Sequence, residues 1–168
     1  MTNSPEQSRG GPFVKGAFLC ESVMEGKDGT NAYIRVLDTI TAEAILLLQG
    51  QTPPGTPIPE PPRELPRVPV NTWLVIMFAA GGALGRYQLD LRLRAPNGLV
   101  KNIATTDIHF DGRQHSANNI HVQMNLMISQ EGPYSVEVWL YPPGDDPVKR
   151  TEVPFVVQYQ RQPSGRQA

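Results

Sequence analysis

The chain has 168 residues, of which 39% are hydrophobic, and a formal net charge of −1, which fits one globular domain with a sizeable core. Lysine and arginine (15) do not exceed aspartate and glutamate (16), so the chain lacks the basic surface with which nucleic-acid-binding proteins neutralise phosphates. The longest apolar run, residues 73–85, is shorter than the roughly 20 residues of a membrane helix, and a single cysteine excludes an internal disulfide.

We expect a cytoplasmic protein without a membrane partner. Residues 1–12 are polar and lack the apolar segment of a signal peptide, and one cysteine suits a reducing compartment. We predict disordered tails at 1–12 and 161–168 around a single domain at 13–160. Cys20 lies in an apolar stretch, so we predict a buried core thiol; the alternative is a reactive nucleophile.

Alternation of apolar and polar residues with a period of two is the dominant pattern, and it predicts half-buried strands. The regular strands are at 87–95, 120–129, 134–140 and 153–159. Less regular strands are predicted at 13–24, 31–40, 72–80 and 99–110. Segment 41–49 could form a short helix or a buried strand, and we favour the strand.

The stretch 51–70 is rich in proline, and we predict that it forms a loop that crosses between sheets. Proline lacks the amide donor that a sheet ladder needs, so this stretch is expected to be extended or irregular. The alternative is a docking segment for a proline-recognising partner, in which Pro59, Pro61 and Pro62 form the interface. The glycine-rich segment 81–85 precedes a strand instead of a helix, so we predict a hairpin loop and no phosphate site.

Strands about ten residues apart, separated by glycine and proline turns, predict an all-β fold: an antiparallel two-sheet β-sandwich of about seven to nine strands. Gly132 and Pro133 deliver Tyr134 into a strand, as in the tyrosine corner of immunoglobulin-like sandwiches, where the hydroxyl binds nearby backbone. The usual cysteine pair is absent, so this would be a disulfide-free relative. The alternative is that Tyr134 is an ordinary core residue.

The histidines offer a candidate metal site. If strands 99–110 and 120–129 form a hairpin around His115, His109 lies opposite His121, with Asp107 two residues along. Cβ atoms directly opposed across two strands are about 5 Å apart, and His, His and a carboxylate are suitable ligands for a divalent metal. The alternative is that these are ordinary surface histidines, since a shift of one residue removes the pairing.

The short motifs Ala17 to Glu21 and Gly26-Lys27, together with segments 33–40, 89–98 and 131–140, resemble a family of uncharacterised bacterial β-sandwich domains, a domain of unknown function. The resemblance implies a compact cytoplasmic β-sandwich, and it brings no known activity, cofactor or catalytic residue. Members usually have aspartate where this chain has Glu21, and the proline-rich segment is longer here.

The sequence favours a non-catalytic protein-interaction or scaffold module, because it contains no nucleophile elbow and no HExxH or CxxC motif. Met127 and Trp139 interrupt the inward phase of their strands, so we expect an exposed patch for a protein partner or a second copy. One alternative is a small-molecule or carbohydrate-binding sandwich that stacks Trp73 or Trp139 on its ligand. Another is a metal-dependent enzyme that uses His109, Asp107 and His121. We expect no other cofactor.

Overall fold

The computed structural model describes residues 11–44 and 67–161, and within these ranges it contains nine β-strands and no helix. The strands are β1 (Phe13–Glu25), β2 (Asn31–Leu37), β3 (Thr39–Ala44), β4 (Val68–Ala79), β5 (Leu84–Arg94), β6 (Val100–Asp111), β7 (Ala117–Ile128), β8 (Gly132–Tyr141) and β9 (Val148–Arg161). In this part of the chain there is accordingly no helix that is long and apolar enough to cross a membrane.

The strands form two sheets and thus a sandwich-like all-β architecture. The four-stranded sheet has the order β2-β1-β4-β7, and the five-stranded sheet has the order β3-β9-β8-β5-β6. The predicted antiparallel arrangement holds for every pair of neighbours except β3 and β9, which run parallel. A parallel pair needs a long connection between its strands, and here β4 to β8 intervene.

One hydrophobic core lies between the sheets, because alternate side chains of each strand point to the same face. Leu74, Ile76 and Phe78 of β4 enter it from the four-stranded sheet. Leu91 of β5 and Val138 of β8 enter it from the five-stranded sheet and are 1% and 0% exposed. The predicted inward phase of these two strands is therefore confirmed.

The predicted strand 31–40 is wrong in one respect, because it divides at Asp38 into β2 and β3 in different sheets. The carbonyl of Asp38 accepts a hydrogen bond from the backbone N–H of Val156 in β9, which directs the chain into the five-stranded sheet. Residues 41–44 belong to β3, as the preferred strand prediction required. Residues 45–49 lie outside the described residues.

Most of the predicted proline-rich loop, including Pro59, Pro61 and Pro62, also lies outside the described residues. Residues 68–70 were expected to belong to that loop, but they form the start of β4. There Pro69 lies opposite Met127 of β7.

Four short connections cross between the sheets, namely β2–β3, β4–β5, β6–β7 and β7–β8, and the second and third of these are hydrogen-bonded to each other. The predicted hairpin loop at 81–85 is wrong, because β4 and β5 lie in different sheets. Ala83 N–H donates to the Ala80 carbonyl in this tight turn, and Gly112 N–H donates to the Ala83 carbonyl. The second bond holds the β4–β5 turn against the β6–β7 turn, so both crossings lie at the same end of the sheets.

Tyr134 occupies the start of β8. Its hydroxyl donates a hydrogen bond of 3.1 Å to the carbonyl of Gln130, so the predicted attachment to nearby backbone is confirmed. The ring stacks on Phe155 of β9 at 5.5 Å between centroids. Burial raises the pKa of the Tyr134 hydroxyl.

Candidate functional site

The predicted pairing of His109 with His121 is wrong. Strand β6 is hydrogen-bonded to β5, and β7 is hydrogen-bonded to β4 in the other sheet. His109 lies opposite Arg86, and His121 lies opposite Val75. The residues between β6 and β7 carry the chain across the sandwich, which alternation in the two strands cannot reveal.

The three residues of the predicted metal site therefore have other neighbours. Asp107 forms an ion pair with Arg86, and the His109 carbonyl accepts a hydrogen bond from the Asn118 side chain. His121 Nε2 lies 3.4 Å from the hydroxyl of Tyr33. Over residues 11–44 and 67–161, no three His, Cys, Asp or Glu side chains are grouped so that they could hold a metal ion. Nothing in this arrangement favours the metal-dependent enzyme.

Met127 and Trp139 both point away from the core, as their phase predicts. Met127 is 58% exposed, whereas Trp139 is half-buried beneath Arg92, whose guanidinium carbon lies 4.6 Å from the ring centroid. Met127 belongs to the four-stranded sheet and Trp139 to the five-stranded sheet. The predicted single Met/Trp patch is therefore wrong, and the two outer faces must be considered separately.

The outer face of the five-stranded sheet is ionic, and Glu137 lies at its centre with 2% exposure. Glu137 Oε1 accepts hydrogen bonds from Arg94 Nε at 3.1 Å and Arg94 Nη2 at 2.5 Å. Its Oε2 accepts one from the Trp139 indole N–H at 2.9 Å, and Lys149 Nζ lies 3.4 Å from Oε1. Burial alone would raise the pKa of Glu137, but the hydrogen bonds from Arg94 and Trp139 and the charges of Lys149 and Arg94 lower it to about 2.

Asp90, also buried, is the second carboxylate of this ionic face. It accepts hydrogen bonds from Gln88 at 3.0 Å and from Thr105 at 2.8 Å, and Arg92 lies 3.8 Å away. Burial raises the pKa of Asp90, and the hydrogen bonds from Gln88, Thr105 and Tyr141 with the Arg92 charge outweigh it, so the net shift is downward. Both carboxylates are thus ionised and compensated, which suits a structural network better than acid–base catalysis.

The outer face of the four-stranded sheet is different. Leu74, Ile76 and Phe78 of β4 and Met124 and Leu126 of β7 belong to the core, so the residues between them point outward. We call the outward residues of these two strands the uncharged face. They are Pro69, Asn71, Trp73, Val75, Met77 and Ala79 of β4, and Ala117, Asn119, His121, Gln123, Asn125 and Met127 of β7. None of them is Asp, Glu, Lys or Arg.

An aromatic cluster joins the uncharged face to the neighbouring strands β1 and β2. Val75 is 0% exposed although it points away from the core, and in register it lies between Phe18 of β1 and His121 of β7. The rings of Phe18 and Tyr33 meet edge to face at 5.1 Å, and those of Tyr33 and His121 at 5.8 Å. Strands β1, β2, β4 and β7 therefore each contribute a residue to one outer cluster.

Cys20 is buried, so the predicted buried thiol is confirmed, and it lies opposite Trp73 on the outer side of the four-stranded sheet. Burial raises the pKa of its thiol. A thiol with a raised pKa and no solvent contact is a poor nucleophile, so Cys20 has a packing role.

The uncharged face was missed because alternation at 120–129 was interpreted only as a half-buried strand, without asking which outward side chains carry charge. A usable signal was present, since the outward positions of β5 and β8 carry charges and those of β4 and β7 do not. The missed feature is thus the absence of charge at alternate positions and not the presence of any motif.

The sequence matches no known protein-family model, and a comparison with curated proteins gives no match either. The resemblance to uncharacterised bacterial β-sandwich domains therefore stays a prediction.

Proposed function

We propose that this chain is a non-catalytic protein-interaction module that binds its partner through the uncharged face. The observation that carries the proposal is the contrast between the two outer faces. The ionic face places Arg92, Arg94 and Lys149 against buried carboxylates, whereas the uncharged face carries Trp73, two methionines and four amide side chains and has no Asp, Glu, Lys or Arg. The centres of protein interfaces are depleted in charge and enriched in aromatic residues and methionine.

The chemistry of the uncharged face also narrows the kind of partner. It has no formal charge to attract a strongly acidic or basic surface, so charge steering contributes little to its association rate. Trp73 and Met77 are half-buried and supply apolar contact area, while Asn71 and Gln123 offer paired donors and acceptors. This combination supports a partner whose contact surface is itself uncharged.

We also propose that the two-sheet architecture is immunoglobulin-like. The hydrogen bond from Tyr134 to Gln130, four residues upstream at the entry to β8, supports this assignment. The parallel pairing of β3 with β9 is compatible with it, since sandwich folds of this type vary in their edge strands.

The function is tested with two double substitutions of matched exposure. Phe13→Asp with Met127→Asp places charges at the two ends of the four-stranded outer face, where these side chains are 57% and 58% exposed. Leu84→Asp with Leu99→Asp changes two side chains that are 68% and 65% exposed beside the five-stranded sheet. Each protein, after its melting temperature is checked, is used to capture partners from lysate of the native host.

We expect the first pair of substitutions to abolish capture of partners that the wild type retains, and the second pair to leave capture unchanged. A partner retained equally by both variants, or lost equally by both, would overturn the proposal. Salt provides a further check, because binding through an uncharged face is expected to be nearly independent of ionic strength.

A carbohydrate or small polar ligand is the second candidate, and the position of Trp73 favours it over a site at Trp139. Trp73 lies opposite Gln123 on the uncharged face, whereas Trp139 is covered by Arg92. An aromatic ring with neighbouring amides can stack on a ligand and orient it. In a Trp139→Phe background the remaining indole fluorescence comes from Trp73, so titration with a sugar library is expected to change it if this candidate is correct.

A further inference from the structure

Among the strands of residues 11–44 and 67–161, four form the edges of the two sheets: β2 and β7 in one, β3 and β6 in the other. An edge strand presents unpaired N–H and C=O groups, which form a template for another strand. Natural proteins protect such edges with short strands, charged side chains, proline, bulges or irregular backbone. The four edges can be compared on this basis.

Three of them carry such protection. Strand β6 contains Lys101, Asp107 and Asp111, and its pairing with β5 has a register shift. Strand β2 has seven residues, and its Arg35 has a φ of 53°, which interrupts a regular ladder. Strand β3 has six residues.

Strand β7 carries none of them. It has 12 residues, Ala117–Ile128, and its sequence contains no Asp, Glu, Lys, Arg or Pro. It pairs with β4 over its whole length without a register shift. In the described part of the chain it has no neighbour on its other side.

The hydrogen-bonding groups at this edge can be identified. Ala80 N–H donates to the carbonyl of Ser116 at 2.8 Å, in the same register as the β4–β7 ladder. Because hydrogen-bonded residues alternate along an antiparallel ladder, the even-numbered residues of β7 bond to β4. The odd-numbered residues, from Ala117 to Met127, therefore direct their N–H and C=O groups to the open edge.

We propose that β7 pairs antiparallel with β7 of a second copy, so that the two four-stranded sheets join into one continuous sheet across a twofold axis. An isologous contact of this kind requires a strand that is complementary to itself. With the axis at Val122, Asn119 faces Asn125 of the second copy, and His121 faces its Gln123. These pairs can share hydrogen bonds, and no like charges meet because the strand has none.

The inward-pointing residues of β7 also support pairing with a second copy. Ile120 and Val122 point inward and pack against the core, yet both are only partly buried because β7 has no outer neighbour in the described ranges. In the proposed register, Ile120 faces Met124 of the second copy and Val122 faces its counterpart. Pairing would thus bury apolar side chains as well as satisfy backbone groups.

The inference goes beyond the proposed function and does not depend on it. The dimer would place two uncharged faces side by side on one surface, which would give a bivalent module. Loss of the dimer and loss of partner capture are separated by the single substitution Phe13→Asp, because Phe13 lies on β1, whereas Met127 of the double variant lies on β7 itself. A Phe13→Asp protein is expected to remain dimeric whatever its effect on capture.

The test uses Gln123→Pro with Gln123→Thr as the matched control. The N–H of Gln123 points to the open edge, so proline leaves the β4–β7 ladder intact while it removes an edge donor and obstructs a new strand. Threonine keeps the donor and suits a strand. Mass is measured by sedimentation velocity over a range of concentrations, and folding is checked by circular dichroism and thermal melting.

We expect wild type and Gln123→Thr to be dimers and Gln123→Pro to be a folded monomer. A monomeric wild-type chain at the highest attainable concentration would overturn the inference, as would an unchanged dimer in Gln123→Pro. If Gln123→Pro does not fold, amide hydrogen exchange of the wild type tests whether β7 pairs with a second copy. Protection of the His121, Gln123 and Asn125 amides is then expected to rise with protein concentration.

Other occupants of the edge give different exchange results. Protection that is independent of concentration in a monomer would mean that another part of the same chain covers β7. Protection that appears only when a different protein is added would mean strand addition by that protein. Either result overturns pairing with a second copy.

Discussion

The carboxylate of Glu137 lies 2.5 Å from Nη2 of Arg94, and Glu137 is almost fully buried although it is on the outer side of its sheet. The covering side chains are themselves charged or aromatic, so the carboxylate loses water but gains four close donors. A buried charge is tolerated only when it is compensated in this way. Two predictions about stability follow, the first from this residue and its neighbours and the second from Tyr134 at the start of the same strand.

The first is a dependence of stability on pH. The pKa of Glu137 falls from an ordinary value of 4.5 to about 2 on folding, which corresponds to about 3 kcal/mol of stability. Since the folded state has the lower pKa, this contribution is complete above pH 4.5 and is lost as the pH falls towards 2. We expect Glu137→Gln to lower the free energy of unfolding at pH 7 by about 2–4 kcal/mol and to flatten its decline in this pH window.

Urea denaturation between pH 7 and pH 2 measures both effects. Glu152→Gln is the matched control, because Glu152 also pairs with Lys149 but its side chain is 38% exposed. Its loss is expected to cost less than about 1 kcal/mol. Equal losses in the two variants would contradict the role given to burial.

The second prediction concerns the tyrosine at the entry to β8. Tyr134→Phe removes the hydrogen bond to the Gln130 carbonyl and leaves that half-buried acceptor without this donor. We expect a loss of about 1–2 kcal/mol in free energy of unfolding. Tyr33→Phe is the control, since its hydroxyl lies 3.4 Å from His121 Nε2, and we expect a loss below about 0.5 kcal/mol. Chemical denaturation of both variants measures these losses. A loss in Tyr134→Phe no larger than in the control would contradict a stabilising role for the hydrogen bond from Tyr134 to Gln130.

Cys20 is expected to react with a thiol reagent only when the protein unfolds. Its side chain has no solvent contact, and burial raises the pKa of its thiol. Labelling in native buffer is therefore predicted to be roughly 1,000-fold slower than in urea, or slower still. The comparison is Val36→Cys in a Cys20→Ser background, because Val36 lies opposite Cys20 in β2 and is 62% exposed. Similar native labelling rates at the two positions would show that the outer cluster opens readily.

Arg35 has a φ of 53° within a strand, a conformation that β-branched side chains adopt at a high energetic cost. We expect Arg35→Val to lower the free energy of unfolding by about 1–2 kcal/mol and Arg35→Asn to change it by less than about 0.5 kcal/mol, because asparagine tolerates positive φ. Both substitutions remove the exposed ion pair with Glu21. The difference between their free energies of unfolding therefore measures the backbone strain at position 35. Thermal denaturation of the two variants and of Glu21→Gln separates the two effects, and equal melting temperatures for Val and Asn would exclude strain.

Strand positions could be predicted because alternation is a local property of each segment. The phase that placed Leu91 and Val138 in the core was readable from residues two apart. Pairing could not be predicted in the same way, since the turn between β6 and β7 is compatible with either a hairpin or a crossing to the other sheet. The error at His109 and His121 came from that choice and not from the strands themselves.

The candidate site was harder to predict from the sequence, for a related reason. The outward phase of Met127 and Trp139 was visible in the sequence, but the sheet to which each belongs was not. The cover that Arg92 provides for Trp139 depends on β5 being next to β8. The aromatic cluster beside Val75 combines residues from several strands, which no single stretch of sequence contains.

The parallel pairing of β3 with β9 has a consequence for how the protein is made on the ribosome. Thr39 of β3 lies opposite Val156 of β9. Strand β3 therefore cannot pair with β9 until almost all of the described chain has been translated. Until then the N–H and C=O groups of β3 must be hydrogen-bonded to water or protected by a chaperone. Pairing between strands so far apart in sequence also slows folding. Translation that stalls before β9 is therefore expected to leave a nascent chain whose N-terminal half is prone to aggregate.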